Sequence, residues 1–179
     1  MEMEKIVTQS VIETERFVLR PLRRSDMGQI EMCASDKRVA YMTTSIPHPV
    51  PPGMVEAYVT RAMADDRDED IWAMDGLKSG GSEIMGLISL ARMDRAQSEI
   101  AYWVVPAFWN TGLASEAVRA LVNANPRGDQ TMFASVFQDN PASARVLTNA
   151  GFEYLGDAEA FSVARGSVVP TWTYLKRLT

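Results

Sequence analysis

The stretch from Ser98 to Val122, SEIAYWVVPAFWNTGLASEAVRALV, constrains this chain more than any other. Ile100, Tyr102 and Val104 alternate with Glu99, Ala101, Trp103 and Val105 in a β-branched and aromatic run, which predicts a strand. Pro106 ends it by removing a backbone donor. A short turn over 107–111 leads to Gly112, after which Leu113, Ala114, Ala117, Val118 and Leu121 form one helical stripe. Strand, small-residue turn and helix start, in that order, aim unpaired N–H groups and the positive end of a helix dipole at one spot. Gly112 and Ala114 keep side chains out of the way there. The ligand such a turn suits is a phosphate, and in particular a pyrophosphate.

The turn Trp109-Asn110-Thr111-Gly112-Leu113-Ala114 resembles the Arg/Gln-x-x-Gly-x-Gly/Ala coenzyme A loop of the GNAT family of N-acetyltransferases. It departs from that pattern at its first position, where Trp109 stands for Arg or Gln. Tyr102, Trp103, Pro106, Trp109, Gly112, Ala114, Glu116 and Ala117 are together similar to the branch that acetylates ribosomal-protein N-termini. Asn140, Ser143, Arg145, Val146, Leu147, Gly151 and Phe152 match a second segment of that branch, and Thr14 to Asp26 resembles its opening. The resemblance covers roughly residues 12 to 178. It implies an α/β (α+β) fold with a mixed, mostly antiparallel sheet flanked by helices, formed by one domain over 11–179 after a flexible arm at 1–10.

Composition narrows the alternatives. The net charge of −5 and sequence pI near 5.0 argue against a nucleic-acid partner and mildly favour a cationic substrate. The single cysteine, Cys33, excludes an intramolecular disulfide and suits a reducing, cytoplasmic setting. One histidine and one cysteine leave no His/Cys zinc site, so no metal is expected. No apolar run approaches the ~20 residues of a membrane span, and residues 1–10 lack the apolar core of a signal peptide.

Elsewhere the sequence predicts strands over 16–22, 71–74, 83–92, 97–105 and 131–137, with further strands around 153–155, 160–163 and 171–175. Ser25 or Asp26 suits the start of a short helix carrying Ile30, Met32 and Cys33. The proline-broken run 41–53 reads as a loop, and 54–63 as a helix with Val55, Tyr58, Val59 and Ala62 on one face. The acidic run 65–70 reads as a solvated helix end and turn, and Gly86 as a bulge or close backbone contact. Asn140 at the N-cap, Pro141 at the first helical position and Gly151 past the last turn delimit a helix.

The resemblance implies transfer of acetyl from acetyl-CoA, a cosubstrate, to a primary amine, which must be neutral to attack. At pH 7 an N-terminal amine of pKa ~7.8 is roughly a tenth neutral, whereas a lysine of pKa ~10.4 needs about 4.6 kcal/mol to lose its proton. A base therefore matters most for lysine-like acceptors. Glu99 is the expected base, with an exposed strand glutamate as the alternative reading and Glu159 as the second candidate. Ser143 is the expected acid toward the coenzyme sulfur, against a purely local role at the helix start. For the cofactor, the resemblance implies the amides of Val104 and Val105 along the pantetheine and Trp109 to Ala114 at the pyrophosphate. It adds Asn140 on the pantetheine and Arg145 on a phosphate or in a surface ion pair. The acceptor is open between a protein or peptide N-terminus and a small amine such as a polyamine, an amino acid or an antibiotic. A non-catalytic CoA-binding module and a homodimer through the terminal strands also stay open.

Overall fold

In the computed structural model, which describes residues 9–178, Gly86 sits where two strands approach too closely for any other residue. A Cβ at Gly86 would lie 2.4 Å from the Trp103 carbonyl oxygen and 3.1 Å from the Val104 Cα. This is the close backbone contact rather than a bulge, and it lies between β4 (Gly86–Met93) and β5 (Gln97–Val104). Around that hairpin the chain lays down β1 (Ile12–Glu13), β2 (Val18–Pro21) and β3 (Glu69–Asp75) on one side. On the other come β6 (Thr131–Phe137), β7 (Glu153–Ser162) and β8 (Ser167–Arg177). The spatial order is β1-β2-β3-β4-β5-β6-β8-β7, antiparallel throughout except for the parallel pair β5–β6.

Helices cover both faces, as the α/β expectation requires. On one face α4 (Leu113–Ala124) and α5 (Pro141–Asn149) bury Leu113, Ala117, Val118, Leu121, Ala144 and Leu147. These pack against Leu19, Trp72, Met74, Ile88, Leu90, Ile100 and Met132 of the sheet. On the other, α1 (Met27–Ala34) and α3 (Met54–Ala62) set Ile30, Val55, Val59 and Ala62 against Ile71, Ala73 and Leu87. Each fully buried Leu, Ile, Val or Met side chain among these contributes roughly 1.5–3 kcal/mol relative to exposure. β3 is covered on both faces, which explains why its sequence is a continuous apolar run rather than an alternation.

Several expectations are corrected. A fifth helix, α2 (Lys37–Ala40), and the short β1 have no periodic signal in the sequence, each being too brief to show one. Met32 is 71% exposed, and Ile30 and Ala34 carry the buried face of α1 instead. Asp26 does not cap α1 with its side chain; its fully buried carboxylate accepts from the Arg20 guanidinium at 2.9 Å, and Arg20 also reaches Asp75. The acidic run 65–70 is solvated only in part, because Asp70 is buried between Arg67 and Arg127. The strands expected at 153–155 and 160–163 are one, β7, with an irregularity between Tyr154 and Gly156. Of the expected arm, residues 1–8 lie outside the described residues, but Gln9 and Ser10 are tied to β3: the Gln9 amide donates to the Ile71 carbonyl and the Trp72 indole to the Ser10 carbonyl. The cap geometry of α5 follows expectation at its far end. Gly151 is left-handed (φ 89°), its N–H reaches Thr148 O, and Phe152 N–H reaches Leu147 O.

The Gly86 contact yields a test. Gly86→Ala forces β4 and β5 apart at Trp103–Val104 and is expected to destabilise the protein by about 1–3 kcal/mol, read from denaturant unfolding.

Candidate active site

β5 and β6 part company. Only Gln97, Ser98 and Glu99 pair with Thr131, Met132 and Phe133, although β5 runs on to Val104 and β6 to Phe137. Beyond Glu99 each strand keeps its outer neighbour, β4 for β5 and β8 for β6, so the sheet opens as a wedge-shaped split.

The backbone of β5 turns unmet groups into that split. The Val105 N–H donates to the Met85 carbonyl at 2.9 Å, which makes Val105 a hydrogen-bonded partner of the β4 side. By the alternation of an antiparallel ladder, Val104 and Tyr102 therefore direct their N–H and C=O groups away from β4, toward β6. The Val104 carbonyl is taken by the Trp109 indole N–H at 2.7 Å, leaving its N–H to face the split. The expectation for the Val104 and Val105 amides is thus corrected for Val105, whose donor is already engaged.

The turn that follows is the one where the sequence places an anion cradle. Asn110 (φ 62°) and Gly112 (φ 80°) are both left-handed, and Gly112 is the N-cap of α4. Glu116 N–H is the first to find an intrahelical carbonyl, that of Gly112, so the amides of Leu113, Ala114 and Ser115 precede the helical ladder. Trp109, partly exposed, fixes the turn to the end of β5 through its indole, and the Arg38 guanidinium lies over its ring at 5.8 Å. The first turn of α4 is held from behind. Glu116 accepts from Arg16 Nε at 2.9 Å and from the Thr14 hydroxyl at 2.8 Å, while Arg16 Nη1 donates to the Thr111 carbonyl at 2.7 Å. Partial burial opposes ionisation of Glu116, but the Arg16 and Thr14 hydrogen bonds and the Arg16 charge outweigh it and hold its pKa below the usual range.

The expected catalytic pair flanks the split from opposite faces. Tyr102 packs with the α4/α5 core and Trp103 with the α1/α3 core. Glu99, even-spaced from Trp103, therefore lies on the α1/α3 face, at the vertex where pairing to β6 stops. Its side chain reaches solvent, yet surrounding protein desolvates it in part, and this, with the Glu69 carboxylate, pushes its pKa up. Glu69 and Glu99 both pair with Ala91 across the ladder, one from each side, so they share that face. On the α4/α5 side stands Ser143, in the first turn of α5. Tyr102 Oη donates to the Ser143 carbonyl at 3.0 Å and shares a second hydrogen bond, at 2.8 Å, with the Ser143 hydroxyl. Burial foremost drives the Tyr102 pKa far up, so this phenol stays neutral.

Sequence reasoning missed Tyr102 as the partner of Ser143; its place in the β5 alternation, two residues before Val104, was the available signal. Asn140 occupies the N-cap of α5, but its side chain makes no capping hydrogen bond. Arg145 is exposed and forms no ion pair among the described residues. Glu159 is exposed on β7, with β8 and β6 between it and β5. His48 is exposed in the 41–53 loop, and Tyr154 is an exposed β7 residue bonded to Asp157. No His/Cys/Asp/Glu group suited to a metal occurs among the described residues, and none of their helices is long and apolar enough to cross a membrane.

Comparison with known proteins agrees with this geometry. The RimL ribosomal-protein α-N-acetyltransferase, solved with coenzyme A, superposes with a TM-score of 0.81 at 16% identity, over 94% of this chain and 98% of that one. Spermidine N-acetyltransferase from Vibrio cholerae, solved with CoA and spermine, gives 0.76 at 15% identity, over 91% and 96%. The fold is therefore that of the N-acetyltransferases. The uncharacterised N-acetyltransferase YoaA of Bacillus subtilis (strain 168) is 26% identical over 170 residues, 92% of this chain and 94% of that protein. The family model for the acetyltransferase (GNAT) domain matches residues 16–153, and the chain belongs to that family of acetyl-CoA-dependent N-acetyltransferases.

The Glu116 anchor carries a pH-dependent prediction. Because its folded pKa is depressed, its contribution is present above the ordinary glutamate pKa and is lost as pH falls through the folded value. Glu116→Gln should cost about 1–3 kcal/mol at neutral pH, with the gap to wild type closing in acid, as read by urea unfolding at several pH values.

Proposed function

We propose that this enzyme acetylates a primary amine held on the α1/α3 face of the split, using acetyl-CoA that enters from the α4/α5 face. The observation that carries this reading is the split itself, which opens beside the α4 amino terminus and has Glu99 on one face and the Tyr102–Ser143 pair on the other. The amides of the Asn110–Ala114 turn bind the pyrophosphate. The Val104 N–H pairs with the pantetheine as a β-strand would, and the uncapped Asn140 side chain is available to the same arm. Arg145, exposed and unpaired among the described residues, meets a coenzyme phosphate.

Glu99 takes the proton from the ammonium before attack, or from the amine nitrogen as its lone pair bonds to the thioester carbon. Partial desolvation and the Glu69 charge raise its pKa, which makes it a stronger base than an ordinary glutamate. As the carbon–sulfur bond breaks, the Ser143 hydroxyl donates to the leaving sulfur, with Tyr102 holding the serine and the proton replaced from solvent. The α-amino group of a peptide is the least demanding acceptor, since it is partly neutral already. A second carboxylate, Glu69, on the same face favours a small cationic amine as the second reading. We read residues 11–179 as one catalytic domain acting in the cytoplasm.

The test is CoA release from acetyl-CoA against peptides of varied N-terminus and against polyamines. Glu99→Gln should lower kcat by roughly 10²–10⁴-fold, and Ser143→Ala should lower it less, with acetyl-CoA affinity retained in both. The acidic limb of kcat/KM should titrate above the ordinary glutamate range and move to lower pH in Glu69→Gln, which removes the neighbouring negative charge. Turnover unaffected by Glu99→Gln would remove Glu99 as the base.

A further inference from the structure

Arg165 lies in the β7–β8 turn, where the sequence suggests nothing beyond a reversal, yet its guanidinium is largely buried and fully engaged. Nε and Nη2 both donate to the Tyr41 carbonyl, at 3.0 and 2.6 Å. Nη1 and Nη2 pair with the two carboxylate oxygens of Asp139. Its Cζ lies 5.6 Å from the centre of the Tyr41 ring and 4.8 Å from that of the Phe137 ring. Beside it, Val163 N–H donates to the Thr44 carbonyl at 3.0 Å. One side chain thus joins three segments distant in sequence: the start of the 41–53 loop, the β7–β8 tip, and the turn between β6 and α5.

Those segments meet at the mouth of the split. Phe137 is the last residue of β6, and Asp139 precedes Asn140 and the α5 turn that bears Ser143. On the opposite wall, Trp109 is bonded to the last residue of β5 and lies under Arg38. Residues 38–41 therefore form a strap across the mouth, resting on the β5 wall through Arg38 and on the β6 wall through Arg165. The Arg38 contact is exposed to solvent and correspondingly weak. The buried, forked Arg165 contact is the stronger hold.

We propose that Arg165 is a positioning residue: by tying the strap and the β7–β8 tip to the β6–α5 turn, it fixes the width of the mouth through which the acceptor reaches the thioester. The proposal rests on the acetyl-transfer reading for its kinetic consequence, and on geometry alone for its structural one. Lysine cannot replace the contact fully, because a point charge can pair with Asp139 but cannot at once fork onto the Tyr41 carbonyl and keep a planar guanidinium beside the Tyr41 and Phe137 rings.

The experiment compares wild type with Arg165→Ala, Arg165→Lys and Asp139→Asn by amide hydrogen exchange, acetyl-CoA binding and acceptor kinetics. In Arg165→Ala, exchange should quicken together in 37–45 and 159–169 and stay unchanged in β3 and β4. Acceptor kcat/KM should fall roughly tenfold or more while the acetyl-CoA Kd stays within about twofold, since the pyrophosphate turn is held independently by Arg16. Arg165→Lys should lie between, and Asp139→Asn, which alters an exposed carboxylate, should lower acceptor kcat/KM in the same direction. Exchange confined to the β7–β8 tip, or equal losses in acetyl-CoA and acceptor affinity, would overturn the proposal. If Arg165→Ala does not fold, unchanged acceptor kcat/KM in Asp139→Asn overturns it. Absence of acetyl-CoA turnover in wild type refutes the enzymatic reading instead, and the exchange data still decide whether Arg165 ties the segments.

Discussion

Backbone hydrogen bonding is the constraint on which this structure turns. A strand in the middle of a sheet must pair on both edges, because buried N–H and C=O groups left without partners are costly. β5 meets that demand on its β4 side along its whole length, and on its β6 side for three residues only. The remaining groups are met piecemeal: the Trp109 indole takes the Val104 carbonyl, and the Val104 amide faces the split, where the proposed function places the coenzyme arm. The split is therefore a piece of unfinished sheet. A coenzyme arm with amide groups of its own is the kind of molecule that completes it.

The arrangement separates two jobs that would interfere in a single pocket. Binding a polyanion needs positive potential, and the uncompensated amino end of α4 supplies it. Drawing in a cationic amine and taking its proton needs carboxylates, and in the proposed reaction Glu99, with Glu69 beside it, has that part on the other face. Glu116 would weaken the first field if its charge were free, but Arg16 and Thr14 hold it in place.

Local features were legible in the sequence because local rules write them. The Ile100–Tyr102–Val104 alternation, the small-residue turn before Leu113, and the Asn140, Pro141 and Gly151 boundary residues each stand for one physical demand met within a few residues. So the β5–α4 unit and the helix α5 could be read from local rules, whereas the candidates Glu99 and Ser143 came from the family resemblance. Contacts between distant segments were not legible. Nothing near Val105 says that Met85 occupies its amide, nothing near Asp70 announces Arg127, and nothing near Tyr102 names Ser143. Short elements such as α2 and β1 escaped because periodicity needs length, and Met32 was misplaced because one apolar residue on a short helix does not define a face.

The sheet order also separates the sequence in time. β8 is the last strand in the chain, yet it lies between β6 and β7. As a nascent chain emerges, β6 can find β5 along only three residues, and β7 has no neighbour until β8 arrives. The half of the sheet that walls the split on the β6 side is thus completed last, when β8 pairs with β6 and brings β7 to the edge. Long-range pairing of this kind is slow and leaves strand edges open meanwhile. A partly synthesised chain holds the pyrophosphate turn and the proposed base well before it has two walls to set around a thioester.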